Sequence, residues 1–107
     1  MTNISHTQIK APPHCETMSE VRAGVDEIDK QLIELLALRF GYMDAAARIK
    51  EEKSAVRDED RKAQVIANAV AMAQRYDLPH EKLALLWNDL VEMSIAHETD
   101  KWDDIRA

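Results

Sequence analysis

From Val21 to Ile49 apolar side chains recur at steps of mostly three and four: Val21, Val25, Ile28, Leu32, Leu35, Leu36, Tyr42, Met43, Ala46, Ala47 and Ile49. That period marks one face of a helix. Gly41 is a weak point, and an otherwise strong helix tolerates it at about 1 kcal/mol. Thr17, with Glu20 three residues on, supplies a capping box at the start. The pattern predicts a helix from Met18 to about Glu52, roughly 50 Å long at 1.5 Å per residue. A compact chain of 107 residues has a radius of gyration near 13 Å. Such a helix outruns the cover its own chain can provide, so its apolar stripe requires another helix, most simply that of a second copy.

The remainder supports an all-α fold. Two glycines and three prolines in the whole sequence leave little turn chemistry for a β architecture. Residues 1–16 lack periodicity and carry Pro12-Pro13, so they are expected to form a disordered or loosely packed tail, with the folded domain at 17–107. Lys53 to Arg57 is a connector, and Asp58 is the expected N-cap of a second helix ending near Tyr76. A link at Asp77-Leu78-Pro79 leads to a third helix from about His80 to Asp103. The expected architecture is three helices per chain, one long and two shorter, in an intertwined homodimer.

Charge narrows the function. With 20 Asp+Glu against 14 Lys+Arg the formal charge is −6, which disfavours nucleic acid or an anionic membrane as partner. No apolar run approaches the roughly 20 residues that span a bilayer. The N-terminus lacks a hydrophobic signal region, so the cytoplasm is the expected compartment. Cys15 is read as an unpaired thiol, and His6, His14 and His80 suggest no metal site. No Cys/His cluster, nucleophile elbow or glycine-rich phosphate loop is present. Neither metal nor cofactor is expected.

Against that acidic background, Arg22, Arg39 and Lys50 fall on the long helix. Helical cations generally project into solvent or pair with a glutamate one turn away. Arg39 and Lys50, however, are eleven residues apart, close to three turns, and share a stripe about 16 Å long that can clamp a small anion. Arg22 lies about 100° around the helix, so it serves more easily the pocket of a two-fold partner. Arg61 follows the acidic cluster Asp58-Glu59-Asp60, and Ser94 and Glu98 are four residues apart on one face. This set of cations, a hydroxyl and a carboxyl suits a small dianion bearing hydroxyl or ether oxygens. His97 is read as an exposed or half-packed side chain rather than a base.

The stretch VRAGVDEIDKQLIELLALRFGYMDAAARIKEEK, then VRDEDR and later SIAHE, resembles the all-helical type II chorismate mutases, which include the similar isochorismate-pyruvate lyases. The likeness covers about Met18 to Lys101. It implies an intertwined dimer whose Arg22 is donated across subunits. It also implies that Arg39 binds a substrate carboxylate and that Lys50 contacts the ether oxygen and a carboxylate. Asp58 and Arg61 would be pocket residues, Ser94 a substrate-contacting hydroxyl, and Glu98 the Gln/Glu position facing the ether oxygen. Lys62 departs from the pattern, standing where well-known mutases carry a glutamate, and the connector between Lys50 and Arg61 is one residue shorter, as in the lyases. Glu98 and Ser94 look mutase-like instead. The expected activity is therefore chorismate to prephenate, in aromatic amino acid biosynthesis. Cleavage of isochorismate to salicylate and pyruvate is the alternative in the same pocket, and a non-enzymatic helical dimerisation module the alternative of another class.

Overall fold

The computed structural model describes residues 9–107. Residues 1–8, with His6 and half of the expected tail, lie outside them. The described chain is helical, with no strand among the described residues. Three α-helices follow in order: α1 (Met18–Ile49), α2 (Glu59–Arg75) and α3 (His80–Ile105), with 3₁₀ turns at Pro12–His14 and Lys53–Ala55. Packing divides the chain into two units, one up to Arg39 and one from Phe40 onward, so α1 begins in the first and ends in the second.

In the first unit the expected capping box forms. Thr17 Oγ1 accepts from the Glu20 amide at 3.2 Å, and Glu20 Oε1 accepts from the amides of Thr17 at 3.1 Å and Glu16 at 2.8 Å. Two donors that the helix leaves without partners are thereby met. Lys10 forms an ion pair with the same glutamate. The Lys10 ammonium and these amides hold the Glu20 carboxyl down at about 2. Of the tail, residues 12–14 form the 3₁₀ turn, and Ile9, Ala11 and Pro12 with Val21, Val25 and Ile28 line an open groove of about 690 Å³. Farther along α1, Leu32, Ile33 and Leu35 remain more than half exposed.

In the second unit α2 and α3 pack against each other. Asp58 caps α2, its side chain accepting from the Arg61 amide at 3.0 Å. The helix closes with a Schellman arrangement: the Leu78 amide donates to Ala73 O at 2.8 Å and the Asp77 amide to Gln74 O at 3.2 Å. Asp77 sits at φ 57°, the left-handed region where glycine is usual. The buried apolar residues are Ala47, Val56, Ala73, Leu90 and Val91, a small core drawn from the end of α1, the connector, α2 and α3.

α1 stops at Ile49 rather than near Glu52. Glu51 and Glu52 would place two negative charges at the negative end of the helix dipole. The chain instead bends there and enters the turn at Lys53.

Candidate active site

Lys50 is the first residue beyond α1, and its amide still donates to Ala46 O at 2.9 Å, closing the last helical turn. Its ammonium Nζ lies 2.7 Å from Glu98 Oε2, with side-chain exposures of 31% and 5%. The approach is at ion-pair distance, yet the buried Oε2 has no donor aligned for a hydrogen bond. A carboxylate taken out of water and met only by one off-line cation is incompletely satisfied. One turn earlier on α3, Ser94 is also buried, and its hydroxyl donates to Leu90 O at 2.7 Å. Two polar residues one turn apart, both buried, form a polar wall next to a half-exposed lysine. Apolar packing alone does not explain them.

The other expected residues are placed as follows. Asp58 is committed to capping α2, which fixes the turn from which Arg61 projects. The Arg61 guanidinium is exposed and donates to Gln64 Oε1 at 2.6 Å along its own helix. Within the second unit, then, Lys50 meets Glu98 and Ser94 lies one turn from Glu98 on α3, while Asp58 and Arg61 form a pair of their own. Arg22, exposed, and Arg39, half-buried, lie in the first unit.

Lys62 is held by Glu92: its Nζ is 2.6 Å from Glu92 Oε2, and Arg57 adds two hydrogen bonds to the same carboxylate at 2.8 and 3.1 Å. The Arg57 guanidinium, then the Lys62 ammonium, hold the Glu92 carboxyl down at about 2. Glu92 in turn raises Arg57, with Glu59 assisting. Sequence reasoning missed Arg57 and Glu92, because their partners lie 30 to 35 residues away and no helical spacing connects them. His97 is neither bare nor a lone base: its Nε2 lies 2.7 Å from Asp44 Oδ1, and Phe40 meets its ring edge-on at 5.0 Å.

Among the described residues no group of three His, Cys, Asp or Glu side chains is placed to hold a metal ion, and no helix is long and apolar enough to cross a membrane. In the second unit Lys50, Glu98 and Ser94 bring together one cation, one carboxyl group and one hydroxyl, a set that can hold an anion and stabilise charge at an oxygen.

Residues 21–99 match the family described as chorismate mutase type II. Isochorismate pyruvate lyase of Pseudomonas aeruginosa is 24% identical over 99 residues, covering 92% of this chain and 98% of the lyase. The bifunctional chorismate mutase/prephenate dehydratase of Buchnera aphidicola is 29% identical over 76 residues. That match takes in 70% of this chain but only 20% of the bifunctional protein.

Proposed function

The chain belongs to the chorismate mutase type II family, and from that membership we propose that it rearranges chorismate to prephenate through the pocket walled by Lys50, Ser94 and Glu98. The observation that carries this reading is the buried Glu98 carboxyl against Lys50 Nζ at 2.7 Å, with the buried Ser94 one turn away.

The reaction is a [3,3] rearrangement: one C–O bond breaks as one C–C bond forms, with no proton, nucleophile or cofactor consumed. The protein has two tasks. It must hold a flexible dianion in its compact reactive conformer, and it must meet the negative charge that develops on the ether oxygen. Arg39 takes one substrate carboxylate and Arg22, from a second copy, another. Arg61 assists from the first turn of α2, and Asp58 fixes that turn. Lys50 faces the ether oxygen, and Ser94 is the hydroxyl nearest the substrate. Glu98 helps at the oxygen only as a protonated donor, since a carboxylate would repel it. Glu98 meets Lys50 at 2.7 Å, so a substrate oxygen competes with Glu98 for the ammonium.

The apolar stripe of the first unit supports a homodimer: Val25 and Ile28 are each 52% exposed, Leu32 51% and Leu35 62%. Each such side chain gains about 1.5–3 kcal/mol on full burial, and a second copy of α1 offers a matching stripe. Prephenate is named in the dehydratase half of the bifunctional relative, and aromatic amino acid biosynthesis is the setting that link supports.

Cleavage of isochorismate to salicylate and pyruvate is the second reading. It is favoured by the P. aeruginosa lyase, which is matched over nearly its whole length, and by Lys62, a cation bound to Glu92 where mutases of this type carry a glutamate. Separate incubation with chorismate and isochorismate distinguishes the two. Prephenate from chorismate supports the mutase, and salicylate from isochorismate with chorismate untouched overturns it. A dimerisation module without activity would turn over neither, and Arg39→Ala would then change nothing.

A further inference from the structure

We propose that Trp102 and Arg106, both beyond the family match at residues 21–99, are positioning residues that clamp the backbone of Lys50 and so aim its ammonium into the pocket. The proposal rests on the assignment of Lys50 to the substrate's ether oxygen.

Lys50 occupies a vulnerable place. The last four carbonyls of a helix have no partner within it, and helix ends fray. Glycine at the position after the cap, in the left-handed conformation, commonly repairs this. Here Glu51 follows, the described residues outside glycine include positive φ only at Asp77, and α1 ends without that repair. The donors come instead from the last turns of α3. Trp102 Nε1 donates to Lys50 O at 3.1 Å, and Arg106 Nη2 donates to the same oxygen at 2.8 Å. Arg106 Nη1 reaches back one turn to Ala47 O at 3.1 Å. The guanidinium also lies over the Trp102 ring, 4.1 Å from its centroid, so each donor holds the other in place. A cation at this point is further favoured by the negative end of the α1 dipole.

The same helix that presents Ser94 and Glu98 to the pocket thus also grips the residue carrying the ammonium. Lys50 Nζ and Glu98 Oε2 meet at 2.7 Å because both ends of that distance are referenced to α3. Releasing the carbonyl frees the Lys50 backbone without touching its side chain or any substrate group.

The test uses the full-length chain with Trp102→Phe, which keeps the ring and removes the N–H, and Arg106→Met, which keeps the stem and removes the donors. Each lowers kcat more than it raises KM, together by roughly 10- to 100-fold, the size of effect that an ångström of misplacement produces. In the Lys50→Ala background the same changes cost no further turnover, because there is no ammonium left to aim. Hydrogen exchange of the Lys50 amide quickens in the variants, while amides in the middle of α2 keep their protection. The proposal is overturned if the conservative Trp102→Phe and Arg106→Met leave kcat and Lys50 exchange unchanged. A loss that persists undiminished without Lys50 also overturns it, since it marks a general structural role. Failure of the functional reading looks different: the unaltered protein then forms no prephenate from chorismate, and Lys50 amide exchange still decides the clamp.

Discussion

Glu98 and Glu92 are both glutamates of α3, six residues apart, and their surroundings give them opposite duties. Glu92 is half-buried and bound by Arg57 and Lys62, so its carboxylate form is favoured in the fold, from an ordinary 4.5 down to about 2. A depressed carboxyl contributes stability above its unfolded value and loses it as pH falls toward the folded one. The difference in melting temperature between the unaltered protein and Glu92→Gln is therefore largest above pH 4.5 and closes as pH falls toward 2. A difference that stays constant across that window would show that the ion pairs contribute nothing. Glu98 is buried and faces a single ammonium. Glu98→Gln, which keeps a hydrogen-bond donor at this position, is expected to retain prephenate formation, and Glu98→Ala to lose it; equal loss in both excludes a donor role. Under the proposed function Lys50→Ala removes the charge set against the ether oxygen and is expected to lower kcat by about 10²–10³-fold, the cost of deleting one preorganised donor.

Among the elements, α2 and α3 are joined by a link that spends conformational energy. Asp77 closes the Schellman motif at φ 57°, where an L-residue costs about 1–2 kcal/mol and glycine does not. Glycine's greater freedom in the unfolded chain offsets part of that gain. Asp77→Gly is expected to raise stability by about 0.5–1 kcal/mol, read as a higher melting temperature with unchanged turnover. A lower melting temperature would mean that the Asp77 side chain contributes more than its backbone costs. The two N-terminal caps were legible in the sequence because a cap acts over three residues: Thr17 with Glu20, and Asp58 with the Arg61 amide. The end of α1 was not legible. Its period suggested continuation to about Glu52, whereas the acidic pair Glu51-Glu52 and donors more than fifty residues away stop it at Ile49.

For the whole molecule, the proposed dimer makes a prediction that a single chain does not. If Arg22 completes the pocket of a second copy, Arg22→Ala and Arg39→Ala chains are each inactive alone and complement when mixed. Half of the dimers in an equal, fully exchanged mixture are mixed, and each of these has one intact pocket of two. Turnover should therefore recover to about a quarter of the unaltered level, as two-fold symmetry requires. No recovery, with exchange verified by sedimentation of tagged chains, would place both arginines in the same chain's pocket. The exposed stripe at Val25, Ile28, Leu32 and Leu35 is the surface assigned to the proposed dimer, and charged substitutions there are expected to yield monomers that lack activity.

The sequence by itself determined the helical class, the period of α1, the N-caps and the shared face of Ser94 and Glu98, because each is encoded within a turn or two of helix. It also carried the family pattern and, with it, the substrate class. Only the tertiary structure decided that Lys62 is bound to Glu92, that His97 meets Asp44, and that Lys50 stands at a helix end tied to Trp102 and Arg106. Each of these pairs joins residues at least 30 positions apart. Such pairings depend on the packing of α3 against α2 and the end of α1, which no local periodicity specifies.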